Sequence, residues 1–334
     1  MNAFATDSTD STSPRLRSSS AHAVAAAGRC PVCERTEFVA FRAVLFRCAH
    51  CGLVVNPDAW REGADEALER EFFDEGAYVP DESAWVRLFE RLNAARTLAQ
   101  LRAAGARTGR LLEVGIGSGA LLVHLRDAGF DVEGCDLSES VARHARERHG
   151  LRVHVAPLER LDGAFDVIVM NHVVEHVSDP VGLLRAARER LAPGGVLHVA
   201  VPNVASWDAS LPGWTSYQPY HLVYFTPGAL ALAARRAGLR PLRRRTNEPF
   251  SGWFLALART ALGCSPHDAV ASAAAARAPS RASSPAGLGG HLYRAAMVTA
   301  GLASWPLRAA QARVGRGEEV VLIGARADVP VEGA

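Results

Sequence analysis

Residues 111–120, LLEVGIGSGA, read as a buried strand, a glycine turn and the start of a helix. Gly115, Gly117 and Gly119 permit positive φ angles and let backbone approach a ligand, and the helix that follows presents unpaired amide groups toward it. Read with Ala120, the string satisfies G-x-G-x-x-G/A, the dinucleotide fingerprint. Taken alone, this turn predicts a nucleoside ligand and leaves its identity open.

Short apolar runs alternate with amphipathic helices from Arg110 onward, a pattern typical of a parallel sheet covered on both faces. The predicted strands are 111–114, 132–136, 153–155, 165–170, 196–201, 240–245 and 319–325. The predicted helices are 119–128, 138–149, 180–191 and 227–237. We therefore expect an α/β fold with a Rossmann-like, doubly wound, seven-stranded sheet.

Two carboxylates narrow the choice of ligand. Asp136 ends the second predicted strand, where it can accept hydrogen bonds from both ribose hydroxyls of a nucleoside. Glu113 lies two residues before the first glycine, where it would repel a pyrophosphate and attract an ammonium group. A cationic nucleoside cofactor is favoured, and a nicotinamide dinucleotide is the competing hypothesis.

Four of the six cysteines form two CxxC pairs, Cys30/Cys33 and Cys48/Cys51, with fourteen residues between them. In a reducing compartment such pairs indicate metal more often than disulfide, because four thiolates can close a tetrahedron around Zn²⁺. The spacing predicts a structural zinc ribbon over residues 29–57, with redox-active or merely buried thiols as the alternative.

The glycine turn and the segments that follow it resemble the class I S-adenosylmethionine (SAM) dependent methyltransferases. DLSES at 136–140, AFDVIVMNHVVEHVSDP at 164–180 and LAPGGVLHVAVPN at 191–203 match in order. The resemblance covers about residues 108–246 and, more loosely, the strand at 319–325. It is greatest to the ubiquinone-biosynthesis type of O-methyltransferase. The cysteine leader is similar to that of zinc-ribbon methyltransferases that modify sugars and other secondary metabolites.

This resemblance implies SAM as the cofactor and assigns roles to matching positions. The three glycines would form the cofactor turn, Glu113 would approach the methionine amino group, and Asp136 would hold the ribose. Asn171 and His172 would reach the methionine part or the reaction centre. The implied cofactor-binding residues are Glu113, Gly115, Gly117, Gly119, Asp136, Leu137, Leu158, Glu159, Asn171 and His172.

The string His172-Val-Val-Glu175-His176 also matches the zinc protease signature H-x-x-E-H, but it follows a strand and does not lie inside a long helix. Related methyltransferases carry E-x-x-E-H here, and some hold a divalent metal with a later histidine. This chain has His172 in place of the first Glu, with His221 as the plausible fourth member. One hypothesis is that His172, Glu175, His176 and His221 bind a second divalent metal. The other is that these residues have a structural role or act in acid/base catalysis.

A hydroxyl acceptor must lose a proton during methyl transfer, so we expect a nearby base. His221, after the fifth strand, is the first candidate, and His176 is the second. A histidine that anchors the loop through hydrogen bonds is an equally good interpretation of either residue.

The rest of the chain divides by composition. We expect a tail at 1–28, the ribbon at 29–57, an aromatic helical segment at 58–107, the SAM-binding core at 108–247, an insertion at 248–318, a last core strand at 319–326 and a tail at 327–334. The insertion contains two apolar helical segments around an Ala-, Ser-, Pro- and Gly-rich linker at 269–290, so peripheral membrane contact is conceivable there. The absence of a transmembrane or secretory pattern predicts a cytoplasmic location.

The sequence therefore predicts an enzyme that methylates a small molecule, at a hydroxyl of a secondary metabolite, a sugar or a lipid-linked intermediate. An rRNA base methyltransferase with an RNA-binding ribbon is the alternative, but a net charge of +2 makes nucleic acid a poor partner. A non-catalytic zinc-ribbon protein that binds SAM is the second alternative.

Overall fold

The computed structural model describes residues 28–42, 45–65, 84–218, 220–248, 252–263 and 299–328. The tail before residue 28, the linker at 269–290 and part of the aromatic segment predicted at 58–107 lie outside these ranges.

The cysteine module forms a small antiparallel sheet that takes its fourth strand from the core. Its own strands are β1 Phe38–Phe41, β2 Leu45–Cys48 and β3 Val54–Val55, and the fourth is β9 Val223–Tyr224. Val54 pairs with Tyr224 and Val55 with Val223. The module and the larger domain are therefore joined by backbone hydrogen bonds.

The main sheet has the seven predicted strands. They are β4 Gly109–Val114, β5 Phe130–Asp136, β6 Val153–Val155, β7 Phe165–Asn171, β8 Leu191–Pro202, β10 Leu239–Asn247 and β11 Glu319–Arg326. Their order is β10-β11-β8-β7-β4-β5-β6. β11 runs in the opposite direction to the other six strands. The carboxyl ends of β4, β5 and β7 thus meet at one edge, where ligands bind in folds of this kind.

Helices cover both faces of this sheet, as the sequence predicts. They are α1 Ala84–Ala103, α2 Ala120–Asp127, α3 Glu139–His149, α4 Pro180–Arg190, α5 Pro227–Arg236, α6 Gly252–Ala261 and α7 Trp305–Arg313. Capping side chains fix several starts: Ser138 accepts from the N–H of Val141, and Thr226 accepts from that of Ala229. Separate apolar clusters fill the two faces, one beneath α4 and α5 and the other beneath α2 and α3.

Two helices lie within the predicted insertion, between β10 and β11. α6 is apolar, whereas α7 contains Arg308, Gln311 and Arg313, and residues 264–298 of the insertion lie outside the described ranges. Across the described ranges, every helix is too short or too polar to cross a bilayer.

Candidate active site

The glycine turn after β4 has the backbone that its sequence requires. Gly115, Gly117 and Gly119 have φ angles of 70°, 52° and 76°, in the left-handed region that favours glycine. A Cβ atom on Gly115 would lie 2.6 Å from Cγ2 of Val173, so the turn also packs too closely for a side chain.

Asp136, at the end of β5, holds this turn from the side. Its Oδ2 accepts a hydrogen bond from the N–H of Ile116 at 3.0 Å, and its Oδ1 accepts one from that of Ser138 at 3.0 Å. Burial raises the pKa of Asp136, and these backbone donors work in the opposite direction. Each carboxylate oxygen has a second lone pair, so Asp136 can still accept from a ligand hydroxyl.

Glu113, near the end of β4, is a buried carboxyl group with one oxygen that no described residue satisfies. The residue is 4% exposed, and no described group donates to its Oε2. Burial, together with the nearby Asp136, raises the pKa of Glu113 well above its ordinary value. A cation beside Glu113 would stabilise the charged form, so this site suits an ammonium group and disfavours a phosphate.

A cavity of about 310 Å³ opens between the glycine turn, helix α1 and the ends of β7, β8 and β11. Five of the predicted cofactor residues line it: Glu113, Gly115, Gly117, Asn171 and His172. The other five are not among its lining residues; they lie on the turn, at or just after the end of β5, and after β6: Gly119, Asp136, Leu137, Leu158 and Glu159. Leu137 is 49% exposed, whereas Leu158 is buried in the core.

His172, at the mouth of β7, is held in an unusual conformation. Its φ is 56°, a left-handed value that costs a non-glycine residue about 1 kcal/mol or more. Its N–H donates to the carbonyl of Ala200 at 2.8 Å, Nδ1 lies 3.1 Å from Glu175 Oε1, and Nε2 lies 3.3 Å from Glu319 Oε1. Loss of hydration lowers the pKa of His172, but its two carboxylate partners outweigh this and raise it well above the ordinary value.

Sequence reasoning missed several groups in this cavity. Glu319, at the start of β11, holds His172; His198 of β8 bonds Gln100 of α1 through Nε2 at 2.7 Å. Burial lowers the pKa of His198 to about 4, so this histidine is neutral at neutral pH. The sequence indicates Glu319 in one way: the two acidic residues Glu318 and Glu319 stand at the start of an otherwise apolar strand.

Three of the four residues predicted for a second metal come together. One ligand atom each from Glu175, His176 and His221 lies within 4.8 Å of the others. His172 is not in this group, because its ring bonds Glu175 on one side and Glu319 on the other. The hydrogen bond between His172 and Glu175 nevertheless connects the group to the cofactor cavity.

His221 is buried and neutral. Burial lowers its pKa to about 4, and its Nδ1 lies 2.7 Å from the carbonyl oxygen of Ser216. A neutral ring facing a carbonyl must donate through Nδ1–H, which leaves Nε2 as an acceptor. His176 Nδ1 faces the carbonyl of Tyr220 at 2.9 Å, and the two imidazole rings are 4.9 Å apart. Nε2 of His221 can thus accept a proton or ligate a metal.

The four predicted zinc ligands also come together. Sγ of Cys30 lies 3.6 Å from that of Cys51, Sγ of Cys33 lies 3.4 Å from that of Cys48, and the four sulfurs form one group within 4.8 Å. Tetrahedral zinc with bonds of about 2.3 Å needs sulfurs just under 4 Å apart, so the cluster is compatible with zinc.

Comparison with known proteins identifies similar methyltransferases. The profile of a methyltransferase domain matches residues 85–243. The ubiquinone biosynthesis O-methyltransferase of Bordetella bronchiseptica is 34% identical over 169 residues, 43% of this chain and 68% of that protein. The enzyme of the same name from Caulobacter sp. is 40% identical over 104 residues, 28% of this chain and 41% of that protein.

Among solved structures, Synechocystis magnesium protoporphyrin IX methyltransferase with bound S-adenosylhomocysteine (SAH) is 17% identical. It has a TM-score of 0.45 and covers 55% of this chain and 94% of that one.

The fold is a seven-stranded sheet with β11 antiparallel, and its glycine turn is flanked by two carboxylates. These features define a nucleoside-dependent α/β enzyme. The chain belongs to the class I SAM-dependent methyltransferases, as the relative from Bordetella bronchiseptica shows. The chain spans 41% of the length of the Caulobacter relative. It spans 65% of the length of the ubiquinone biosynthesis O-methyltransferase of Bordetella avium, to which it is 34% identical over 162 residues.

Proposed function

We propose that this chain transfers a methyl group from SAM to a hydroxyl group of a small molecule. The observation that carries the proposal is the buried, unsatisfied oxygen of Glu113 beside the glycine turn. A cavity that holds an uncompensated carboxyl favours a cationic ligand, and SAM presents an ammonium group and a sulfonium.

The cofactor would lie across the carboxyl ends of β4, β5 and β7. Glu113 would accept a hydrogen bond from the ammonium group of SAM, and Asp136 would accept one from its ribose. The backbone amides of the glycine turn would face the cofactor. Leu137, Leu158 and Glu159 would border the adenine, while Asn171 and His172 would border the methionine part. Asn171 Oδ1, a buried oxygen without a described donor, supports the last assignment.

When bound, SAM supplies an electrophilic methyl group on its sulfonium. The protein's own task is to align the acceptor hydroxyl with that methyl and to accept the hydroxyl proton. We assign proton acceptance to Nε2 of His221, with His176 as the second candidate. Their closeness to Glu175, which balances positive charge formed there, supports this assignment.

We also propose that Cys30, Cys33, Cys48 and Cys51 bind one structural zinc ion. The converging sulfurs support it, and four thiolates leave no open position for catalysis.

A small-molecule acceptor is favoured over rRNA by the contacts of the cysteine module. Arg42 donates to the hydroxyl of Tyr217 at 2.8 Å and to the carbonyl of Ala209 at 2.7 Å, and Arg47 stacks 4.1 Å above the ring of Phe41. Two of the module's arginines therefore serve packing, which weakens the case for an RNA-binding face. Peripheral membrane contact through the insertion stays a prediction, since residues 264–298 lie outside the described ranges.

A divalent metal at Glu175, His176 and His221 is the competing assignment for the same residues. Two imidazoles and a carboxylate suit Zn²⁺, Mn²⁺ or Fe²⁺. Elemental analysis separates the two: if these residues bind a metal, His221→Ala would hold one metal equivalent per chain fewer than the parent. Equal metal content in both proteins, with zinc in the cysteine module, would leave His221 the role of base.

Turnover tests the proposed function directly. Methyl-labelled SAM is incubated with hydroxylated secondary metabolites, sugars and lipid-linked precursors, and label in the product is counted. His221→Ala should lower turnover while leaving SAM affinity unchanged. Absence of transfer to every acceptor, by a protein that binds SAM, would favour the non-catalytic alternative.

A further inference from the structure

Three carboxyl groups that the proposed function does not use lie together inside the protein. Asp208 follows β8, Glu248 follows β10, and Glu318 precedes β11. They are 0%, 9% and 6% exposed, and one oxygen of each lies within 4.8 Å of the others.

Each of these carboxyl groups keeps at least one oxygen that no described group satisfies. Glu318 Oε1 accepts from Trp214 Nε1 at 3.1 Å and from Thr215 Oγ1 at 3.3 Å, but its Oε2 has no donor. Glu248 Oε2 accepts from the N–H of Glu318 at 2.9 Å, and its Oε1 has none. Both oxygens of Asp208 lack a described hydrogen-bond donor. The existing bonds fix these side chains while the remaining oxygens stay available.

A neutral acceptor adds to this set. Gln311, at the end of α7, is fully buried and adjoins Asp208. Its Nε2 donates to the carbonyl of Arg316 at 2.8 Å, whereas its Oε1 has no described donor. Within the described part of the chain, five buried oxygens from four side chains thus have no hydrogen-bond partner at normal distance, a costly arrangement unless a shared proton or a cation occupies it.

The positive charge nearby does not balance this group. The carboxyls of Asp208 and Glu248 attract Arg308, whose Nε donates to Ser304 Oγ at 3.1 Å and whose second terminal nitrogen donates to the carbonyl of Gly301 at 2.7 Å. If all three carboxyls were ionised, one guanidinium would leave two negative charges. Burial raises the pKa of Asp208, Glu248 and Glu318, so protons or a cation must neutralise the excess.

We propose that Asp208, Glu248, Glu318 and Gln311 bind one divalent cation. Oxygens 2.3–2.6 Å from a common ion, as around Ca²⁺, are at most about 5 Å apart, which the 4.8 Å spread of the three carboxylates satisfies. Gln311, next to Asp208, is the candidate for a fourth ligand. A donor set made only of oxygens favours Ca²⁺, Mg²⁺ or Mn²⁺ over zinc.

The position of this site gives the ion a structural task. It joins three segments. The segment after β8 is the loop that leads to His221, and the end of β10 and the start of β11 are the two ends of the insertion. Glu318 also precedes Glu319, which holds His172 at the cofactor cavity. The ion would therefore stabilise one wall of that cavity from behind. This proposal does not depend on the identity of the methyl acceptor.

Terbium luminescence tests the site, because the indole of Trp214 bonds Glu318 directly and would transfer excitation to a bound Tb³⁺ ion. The zinc-loaded full chain is titrated with Tb³⁺ under tryptophan excitation. We expect emission that saturates at one ion per chain and that Ca²⁺, Mg²⁺ or Mn²⁺ displaces; the most effective competitor identifies the natural ion. The double variant E248Q/E318Q should lose at least about tenfold in Tb³⁺ affinity.

Asp162→Asn, which neutralises an exposed carboxylate, is the matched control and should bind as the parent does. Equal emission from E248Q/E318Q and the parent, or none from either, overturns the proposal. A second measurement covers a double variant that fails to fold. The melting temperature of the metal-depleted parent should rise with added Ca²⁺, Mg²⁺ or Mn²⁺ and still rise in His221→Ala. No rise with any of them would mean that protons shared between Asp208 and Glu248 neutralise the cluster.

Discussion

Asn56, next to the last strand of the cysteine module, donates its backbone N–H to the carbonyl of Leu222 at 2.9 Å. Leu222 directly follows His221, and its own N–H donates to the carbonyl of Glu175 at 2.9 Å. One residue therefore connects the cysteine module to the two groups that we place at the reaction centre. The module supports the position of His221 as well as its own fold.

Loss of zinc should consequently affect catalysis more than cofactor binding. Cys30→Ser should release about one equivalent of zinc, loosen the pairing of β3 with β9, and lower kcat while SAM affinity stays within about twofold. Elemental analysis, calorimetry and turnover on the same preparation measure the three effects. Cys135→Ala, at a buried cysteine outside the cluster, is the control and should keep its zinc. An unchanged zinc content in Cys30→Ser would remove the ribbon hypothesis.

The proton acceptor assigned here should show no titration near neutral pH. Because burial lowers the pKa of His221 to about 4, its ring is already neutral throughout the range from pH 6 to 8. The contribution of His221 to kcat should therefore be flat over that range and fall only in acid. A kcat profile with an inflection near pH 6.5 that disappears in His221→Gln would contradict the assigned burial and charge state.

Two buried neutral histidines should make the protein sensitive to acid. The folded pKa values of His198 and His221 are about 4, below the value of about 6.5 for an unfolded histidine. Between these values each of the two histidines binds more protons in the unfolded chain, so its own contribution to stability falls as pH drops from about 6.5 to 4, by up to about 3 kcal/mol for each residue. The buried carboxyls Asp208, Glu248 and Glu318, whose pKa is raised, act in the opposite direction, so the histidine contribution is read as a difference between variants. Denaturant unfolding at several pH values measures this slope.

His198→Gln provides the comparison for that experiment, because a glutamine can still bond Gln100 but does not titrate. Relative to the parent, this variant should gain stability as pH falls from about 6.5 to 4, by up to about 3 kcal/mol, because the His198 contribution is absent. His154→Gln, at an exposed histidine, should leave the slope unchanged. Parallel slopes in the parent and His198→Gln would show that His198 is not buried as a neutral ring.

Local pattern predicted most of the fold. Six of the seven strands follow from short apolar runs, whereas β10, LRPLRRRTN, is rich in arginine. The differences are at the strand ends: β8 begins at Leu191, where the sequence predicted the last residue of a helix. The pairing of β3 with β9 could not be foreseen, because two-residue strands have no periodicity and their partners are far apart in the chain.

The site was predictable where its residues follow strands in a known motif. Glu113, Asp136 and the three glycines come together because the carboxyl ends of parallel strands meet at one edge. Glu319 and His198 were missed, because their approach to the cavity depends on the antiparallel placement of β11 beside β8, which sequence spacing does not show.

Glu113 carries the central claim, and calorimetry with SAM and SAH on the parent, Glu113→Gln and Glu133→Gln tests it most directly. Glu133 lies on the neighbouring strand and pairs with Arg110 outside the cavity, so Glu133→Gln is the matched control. We predict one-to-one binding of both ligands by the parent and the control, and a loss of about tenfold or more in Glu113→Gln, since a charge-assisted hydrogen bond disappears. No heat from the folded parent, or equal affinity in all three proteins, would contradict the account.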